Sequence, residues 1–261
     1  MTKEEALETT KIHSVAGIVK DSEGIVYKRP FRSPHHTATT VSLTGGGVHV
    51  KPGEISLAHN GLLFLDELPE FNRDVLEVMR QPLEDRKICV ARANYKVEYP
   101  AGVMFVASMN PCPCGYYNHP TKACTCSPGQ VQRYLNKISG PLLDRIDLQI
   151  EIVPVPFEEI SKTAPGEPSA AIRERVIAAR KIQEERFKNE KGIYCNAQMT
   201  PKLIAKYEGQ ATMQAALVYH GKNEKAQKGR TRGIYAITEV FLSPVFLICA
   251  LLFTVMSIFV F

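Results

Sequence analysis

Several groups of residues in this 261-residue chain have the types and spacing to do chemistry. The first is Asp66-Glu67, which ends the apolar run Leu62-Leu63-Phe64-Leu65. An acid pair at the tip of a buried strand can hold Mg²⁺ on the first carboxylate and orient an attacking water on the second, as phosphoanhydride hydrolysis requires. The same pair can also simply cap the helix that follows. A second apolar run, Val103-Met104-Phe105-Val106-Ala107, leads to Asn110-Pro111. An amide there can hold a water or a phosphate oxygen, or it can be a turn-forming Asn before Pro. Arg145, in Leu143-Asp144-Arg145-Ile146-Asp147, is either a surface cation or a finger that reaches a neighbouring subunit's phosphate.

Cys112-x-Cys114 and Cys124-x-Cys126 form two tight pairs, and four thiolates so arranged could hold Zn²⁺ tetrahedrally. The alternative is four reduced cysteines in a loop. His119 is a spare candidate ligand, while Cys89, Cys195 and Cys249 are scattered and read as inert. Residues 87–99 read as a hairpin turning near Ala93-Asn94, made basic by Arg86, Lys87, Arg92 and Lys96. Such a hairpin can contact nucleic-acid phosphates or be merely solvated. His35-His36 could touch substrate or metal, or pack in a loop.

The elements that must position these residues are legible in outline. Apolar runs alternating with helical pattern over 61–154 predict an α/β fold with a parallel sheet. Pro69 opens a helix predicted to bury Phe71, Val75, Leu76, Met79 and Leu83. Residues 31–60 read as loop and hairpin, with Thr44-Gly45-Gly46-Gly47 at a turn, and residues 139–148 as a short helix entering a strand. Pro154, Pro156, Pro165 and Pro168 predict a connection to a helix over 169–190, with Ile172, Val176, Ala179 or Arg180, and Ile182 or Gln183 on one face.

Composition excludes other classes. The chain is 44% hydrophobic and 23% charged with a formal net charge of +5, which rules out collagen, low-complexity disorder and a multi-span membrane protein. Seven cysteines cannot all pair, and MTKEEALETT has no apolar signal core, so a cytoplasmic body with reduced thiols is expected. Residues 240–261 carry no charge, enough length to span a bilayer, and follow Lys222, Lys225, Lys228, Arg230 and Arg232. They are read as a possible membrane span or as accidental apolar sequence at a rearranged terminus.

RPFRSPHHT (29–37), GEISLAHNGLLFLDELPEF (53–71), ASMNPCPCG (107–115) and SGPLLDRIDL (139–148) together resemble the magnesium-chelatase-like branch of the AAA+ ATPases, in the ComM/YifB competence family. The resemblance covers roughly residues 1–207. It implies a partial AAA+ core over 1–153, a partial helical lid over 154–207, a basic linker over 208–239 and the hydrophobic tail over 240–261. It implies ATP and Mg²⁺ as cofactors, with Asp66 and Glu67 as the Walker B pair, Asn110 as sensor 1 and Arg145 as a finger acting in trans. It implies a homo-oligomeric ring that processes DNA, contacted through Lys87, Arg92 and Lys96.

The phosphate-cradling pattern G-x-x-x-x-G-K-[ST] does not occur in this sequence: Gly221-Lys222 is followed by Asn223 and preceded by Ala216 at the first Gly position. Because Met1–Leu7 resembles the family just after that loop, a truncated member, weak or inactive alone, is expected. The alternatives are a non-catalytic subunit in rings with full-length homologues, or a chelatase-type motor that remodels a protein.

Overall fold

The computed structural model describes residues 1–19, 24–47, 49–92, 95–150, 152 and 167–207. The chain divides into two compact units: Met1–Asp147 with Ile152–Pro154, and Leu148–Glu151 with Val155–Phe261. The prolines at 154, 156 and 165, the basic stretch 208–239 and the apolar tail 240–261 lie outside the described residues. Among the described residues no helix is long and apolar enough to cross a membrane.

The first unit is built on a three-stranded parallel sheet of β1 (Phe31–Arg32), β4 (Leu62–Leu65) and β7 (Met104–Ala107), with β4 in the middle. Leu62, Leu63 and Leu65 of β4 are buried, so the strand is covered on both faces, as its unbroken apolar run predicts. Between β1 and β4 the chain forms α2 (Thr40–Thr44), the short antiparallel pair β2 (Gly45–Gly46) and β3 (Lys51–Pro52), and α3 (Glu54–Leu57). The pairing of β2 with β3 agrees with the predicted glycine turn. Helices α2 and α3 are too short to leave a periodic signal. Leu43, Ile55, Leu63, Leu65, Leu76, Met79 and Leu142 lie at the centre of one core.

The helix predicted from Pro69 onward is instead three pieces: a 3-10 turn (Leu68–Glu70), α4 (Arg73–Glu77) and α5 (Arg80–Asp85). Phe71 is extended and Asn72 restarts the chain as an N-cap, accepting from the Asp74 amide. Pro82 then has no N–H to give to the carbonyl four residues back, so α4 and α5 cannot merge. The predicted inward face survives the breaks, because Phe71, Val75, Leu76 and Met79 are all buried and Leu83 packs against them.

β5 (Lys87–Arg92) and β6 (Tyr95–Pro100) form the expected hairpin, with Arg92 paired to Tyr95 beside the turn. α6 (Pro128–Leu135) and α7 (Gly140–Leu143) complete the unit. The strand expected after α7 is not formed: residues 146–150 are described and irregular.

Before β4, the chain is tied to α1 (Lys3–Ala16), whose Thr2 and Glu5 make a capping box. Glu5 is buried and paired with Arg29 at 2.9 Å. The Asn60 amide side chain donates to the Glu5 carbonyl at 3.3 Å, and its backbone N–H to the Gly102 carbonyl at 2.9 Å. His59 Nδ1 accepts from the Gly102 N–H at 3.0 Å, which leaves Nε2 to face Glu8 at 3.3 Å. One turn thus fixes the helix, the start of β4 and the approach to β7.

In the second unit α8 (Ser169–Arg186) follows Pro168, and Ile172 and Gln183 are its buried residues. Of the predicted pair at the fourth position Gln183 points inward, while Ile182 is exposed. Gln183 Oε1 accepts from the Asn196 N–H at 3.0 Å, Arg186 donates to the Asn196 side chain at 2.9 Å, and Phe187 meets Tyr207 edge to face.

Gly61 abuts Pro30 so closely that a Cβ would lie 2.0 Å from the Pro30 carbonyl oxygen. Gly61→Ala should cost about 1–3 kcal/mol in denaturant unfolding. Gly129→Ala, which meets nothing within 4 Å, should be neutral or slightly stabilising. Burial lowers the His59 pKa below its ordinary 6.5, against the raising effect of Glu8. The unfolded state therefore binds the proton more readily. Stability should fall as pH drops below about 6.5, and His59→Gln should flatten that part of the pH–stability curve.

Candidate functional site

β4 delivers Asp66 to its carboxyl end, where open α/β sheets place ligand sites. The Ser108 hydroxyl and the Glu67 N–H both donate to Asp66 Oδ1, the latter at 2.9 Å. The ladder runs on past the strand ends, with Ser108 N–H to Leu65 carbonyl at 3.0 Å and Leu68 N–H to Ser108 carbonyl at 2.9 Å. This zipper sets the tips of β4 and β7 side by side, so Asp66, Glu67 and Asn110 share one end of the sheet, all exposed.

Glu67 has φ 52° and ψ 48°, a left-handed backbone uncommon for a residue with a Cβ. The turn lets the chain leave β4 sharply and puts the Glu67 carboxylate 3.5 Å from His36 Nδ1. His36 lies against His35, ring centroids 4.0 Å apart, and meets Phe71 edge to face. The sequence offered His36 only as one of a loop pair. Its place comes from β1, which pairs with β4 and carries the following loop toward the same end of the sheet.

Tyr134 of α6, which the sequence did not mark, lies beside the asparagine. Its ring is buried near the Asn110 backbone. Burial pushes the phenol pKa up, the Glu70 charge adds to this, and the Asn110 backbone opposes it. The amphipathic face of α6, where Val131 and Tyr134 are buried, is the signal that could have marked it. Beside it a surface cleft of about 530 Å³ is lined by Glu70, Phe71, Arg73, Arg133 and Lys137 among others.

Arg145 does not join the acid pair of its own chain. Its guanidinium bonds Glu84 of α5 and donates to the Pro141 carbonyl at 2.7 Å. In the hairpin, Lys87 pairs with Glu98 at 3.3 Å with both side chains half exposed, and Lys96 is exposed. The Arg92 side chain lies outside the described residues.

The four cysteines converge, with all sulfurs within 4.8 Å of one another. Cys112 Sγ is 3.4 Å from Cys114 and 3.7 Å from Cys124, and Cys114 is 3.5 Å from Cys124. A tetrahedral ion with Zn–S near 2.3 Å would set sulfurs about 3.8 Å apart, so the donor set fits. The thiols are unequal. Backbone N–H groups of Tyr116 and Thr125 bring Cys114 down to about 5. For Cys124 the Cys126 N–H pulls down, but burial and the Cys114 and Cys112 thiols prevail and push it up to about 12. Burial also raises Cys126. His119 is not among the cluster's ligands. Its Nδ1 accepts from the Thr121 and Lys122 N–H groups at 3.2 and 3.1 Å.

Tyr134→Phe keeps the buried ring and removes only the hydroxyl beside the Asn110 backbone, so it should cost no more than about 1 kcal/mol of stability in chemical denaturation. A larger loss would mean that the hydroxyl carries a hydrogen bond on which the fold depends.

Residues 1–160 match the family model for magnesium chelatase, subunit ChlI, and residues 166–231 match the model for the ChlI C-terminal region. Competence protein ComM of Haemophilus influenzae is 50% identical over 189 residues, 71% of this chain and 36% of that protein. The uncharacterized protein YifB of Escherichia coli is 49% identical over 187 residues, with the same coverage. YifB of Salmonella typhimurium is 42% identical over 221 residues, 84% of this chain and 40% of the relative. The chain therefore spans little more than a third of the length of these relatives. With its parallel sheet, its acid pair on the central strand and a matching model over more than half its length, the chain belongs to the magnesium chelatase ChlI family.

Proposed function

We propose that this chain carries the water-activating and sensing part of an ATP-driven, DNA-processing motor of the ComM/YifB type, working with Mg²⁺ in a homo-oligomeric ring. The observation that carries the reading is the convergence of Asp66, Glu67 and Asn110 at the adjoining carboxyl ends of β4 and β7. Asp66 would hold Mg²⁺, and its Oδ1 is already oriented by Ser108 and the Glu67 amide. Mg²⁺ there would polarise the phosphate. Glu67 would orient the attacking water and Asn110 would hold it or a phosphate oxygen. His36 sits where it can hold Glu67 in place. Arg145 would serve a neighbour's phosphate, and to do so it must exchange Glu84 for that anion. Lys87, Arg92 and Lys96 would meet DNA phosphates. The cysteine cluster would take Zn²⁺ as a structural ion, closing the loop that begins two residues after Asn110.

A second reading, in which the chain joins rings of full-length homologues and offers Arg145 to a neighbour, is favoured by Arg145 standing apart from the acid pair of its own chain. Residues 1–261 contain no G-x-x-x-x-G-K-[ST] pattern, the loop whose amides and lysine cradle a triphosphate. Calorimetry should show Mg·ATP binding no tighter than millimolar, near −4 kcal/mol. Micromolar affinity would mean that another segment cradles the phosphates. Elemental analysis should find about one zinc per chain, lost in Cys112→Ser/Cys114→Ser, and a metal-free preparation made without chelator would reject the zinc site.

A further inference from the structure

The loop between the two cysteine pairs has a built shape and no role in the hydrolytic centre. Gly115 (φ 79°) and Asn118 (φ 60°) turn it, the Gly115 N–H bonds the Cys112 carbonyl at 3.0 Å, and the His119 N–H bonds the Tyr116 carbonyl at 3.1 Å. His119 then caps the amides of Thr121 and Lys122 with its Nδ1. The tip is thus held by its own hydrogen bonds on a base of four thiols. It carries two exposed rings: Tyr117, 44% exposed, and Tyr116, 37% exposed. Tyr116 is engaged edge-on by His119 at 5.6 Å and by the Lys122 ammonium at 5.0 Å from its centroid. Tyr117 makes no ring or cation contact among the described residues.

Charge narrows the choice of partner. From Tyr99 to Leu143 the sequence contains no Asp or Glu, while Lys122, Arg133 and Lys137 lie within it. Lys137 is paired with Glu70 at 3.6 Å, but the loop itself carries Lys122 and no acid, which suits a polyanion. An exposed aromatic on a loop that also carries a lysine suits single strands, since bases stack on the ring and the cation faces the backbone; here Tyr117 is the uncommitted ring, and Lys122 lies over its neighbour Tyr116. Duplex DNA offers its phosphates to the cation but keeps its base faces stacked, so it gains nothing from the ring.

We propose that the loop over residues 115–122 is a contact for single-stranded nucleic acid, in which Tyr117 stacks on an unpaired base and Lys122 faces the phosphates. The proposal rests on the DNA-processing reading above, and adds to it the class of strand and the residue that selects it. Fluorescence anisotropy on the full chain, with a labelled 20-nucleotide oligo-dT and with a duplex of equal length, tests it. Tyr117→Ala should weaken single-strand binding about tenfold and leave duplex binding unchanged. Tyr117→Phe should bind as the parent chain does, because stacking needs the ring and not the hydroxyl. Lys122→Ala should weaken both and lower the salt slope by about one. If the chain binds DNA and Tyr117→Ala binds oligo-dT as the parent does, the proposal falls alone, and the exposed rings serve a protein surface or nothing. Loss of single-strand binding in Tyr117→Phe would also overturn stacking as the mechanism. If the chain binds neither strand nor duplex, the DNA reading falls and takes this proposal with it.

Discussion

The burial of β4 is the constraint on which the first unit depends. A strand with Leu63 and Leu65 fully covered must have neighbours on both edges and layers on both faces. β1 and β7 supply the edges, and Leu43, Ile55, Leu76 and Leu142 supply part of the cover. The apolar run ends at Leu65, so the next residue must leave the core, and it leaves as an acid with its backbone still held by the ladder from Ser108. The position of Asp66 is therefore a consequence of where hydrophobic burial stops. Glu67 then takes a left-handed turn that a β-branched residue would resist, and the strain falls at the point where chemistry is proposed.

The supports around this point come from different parts of the chain and act on different atoms. Ser108 and the Glu67 amide hold one oxygen of Asp66, His36 faces the Glu67 carboxylate, and Tyr134 packs beside the Asn110 backbone. At the opposite end of the strands, Asn60 and His59 bind both α1 and the Gly102 backbone, which fixes β7 against β4 at their start. Register between the strands is thus pinned at both ends. A one-residue slip would turn Asp66 into the core, at a cost of burying an unpaired charge. Arg145 is the exception in this arrangement. Glu84 neutralises it on another part of the surface.

The cysteine cluster serves the same end of the sheet by another route. The chain leaves β7, passes Asn110 and immediately enters a loop too polar and too rich in Pro and Gly to order itself by burial. Convergence of four sulfurs, with the Cys112 side chain fully buried, substitutes for a core there. The path then runs directly into α6 through the Ser127 capping box, and α6 carries Tyr134 back to Asn110. Asn110, the thiol cluster and α6 therefore lie on one continuous stretch of chain.

The sequence by itself determined the elements whose signal is local. The unbroken apolar run fixed β4 and its acid tip, the spacing of Cys112, Cys114, Cys124 and Cys126 pointed to four thiols that do converge, the turn near Ala93-Asn94 predicted the β5–β6 hairpin, and the inward face from Phe71 to Met79 was readable through its breaks. Local chemistry also misled in two places. Helical periodicity did not register that Asn72 restarts the helix and Pro82 divides it, and the pattern after Leu143 suggested a strand that residues 146–150 do not form. Only the tertiary structure decided which distant residues meet: His36 with Glu67, Tyr134 with Asn110, Arg145 with Glu84, and Gln183 rather than Ile182 turned inward against Asn196. The reason is physical. Periodicity records which face of an element avoids water, whereas the meeting of two polar groups depends on strand order and on where helices cross, and a single polar residue in a loop carries no trace of either.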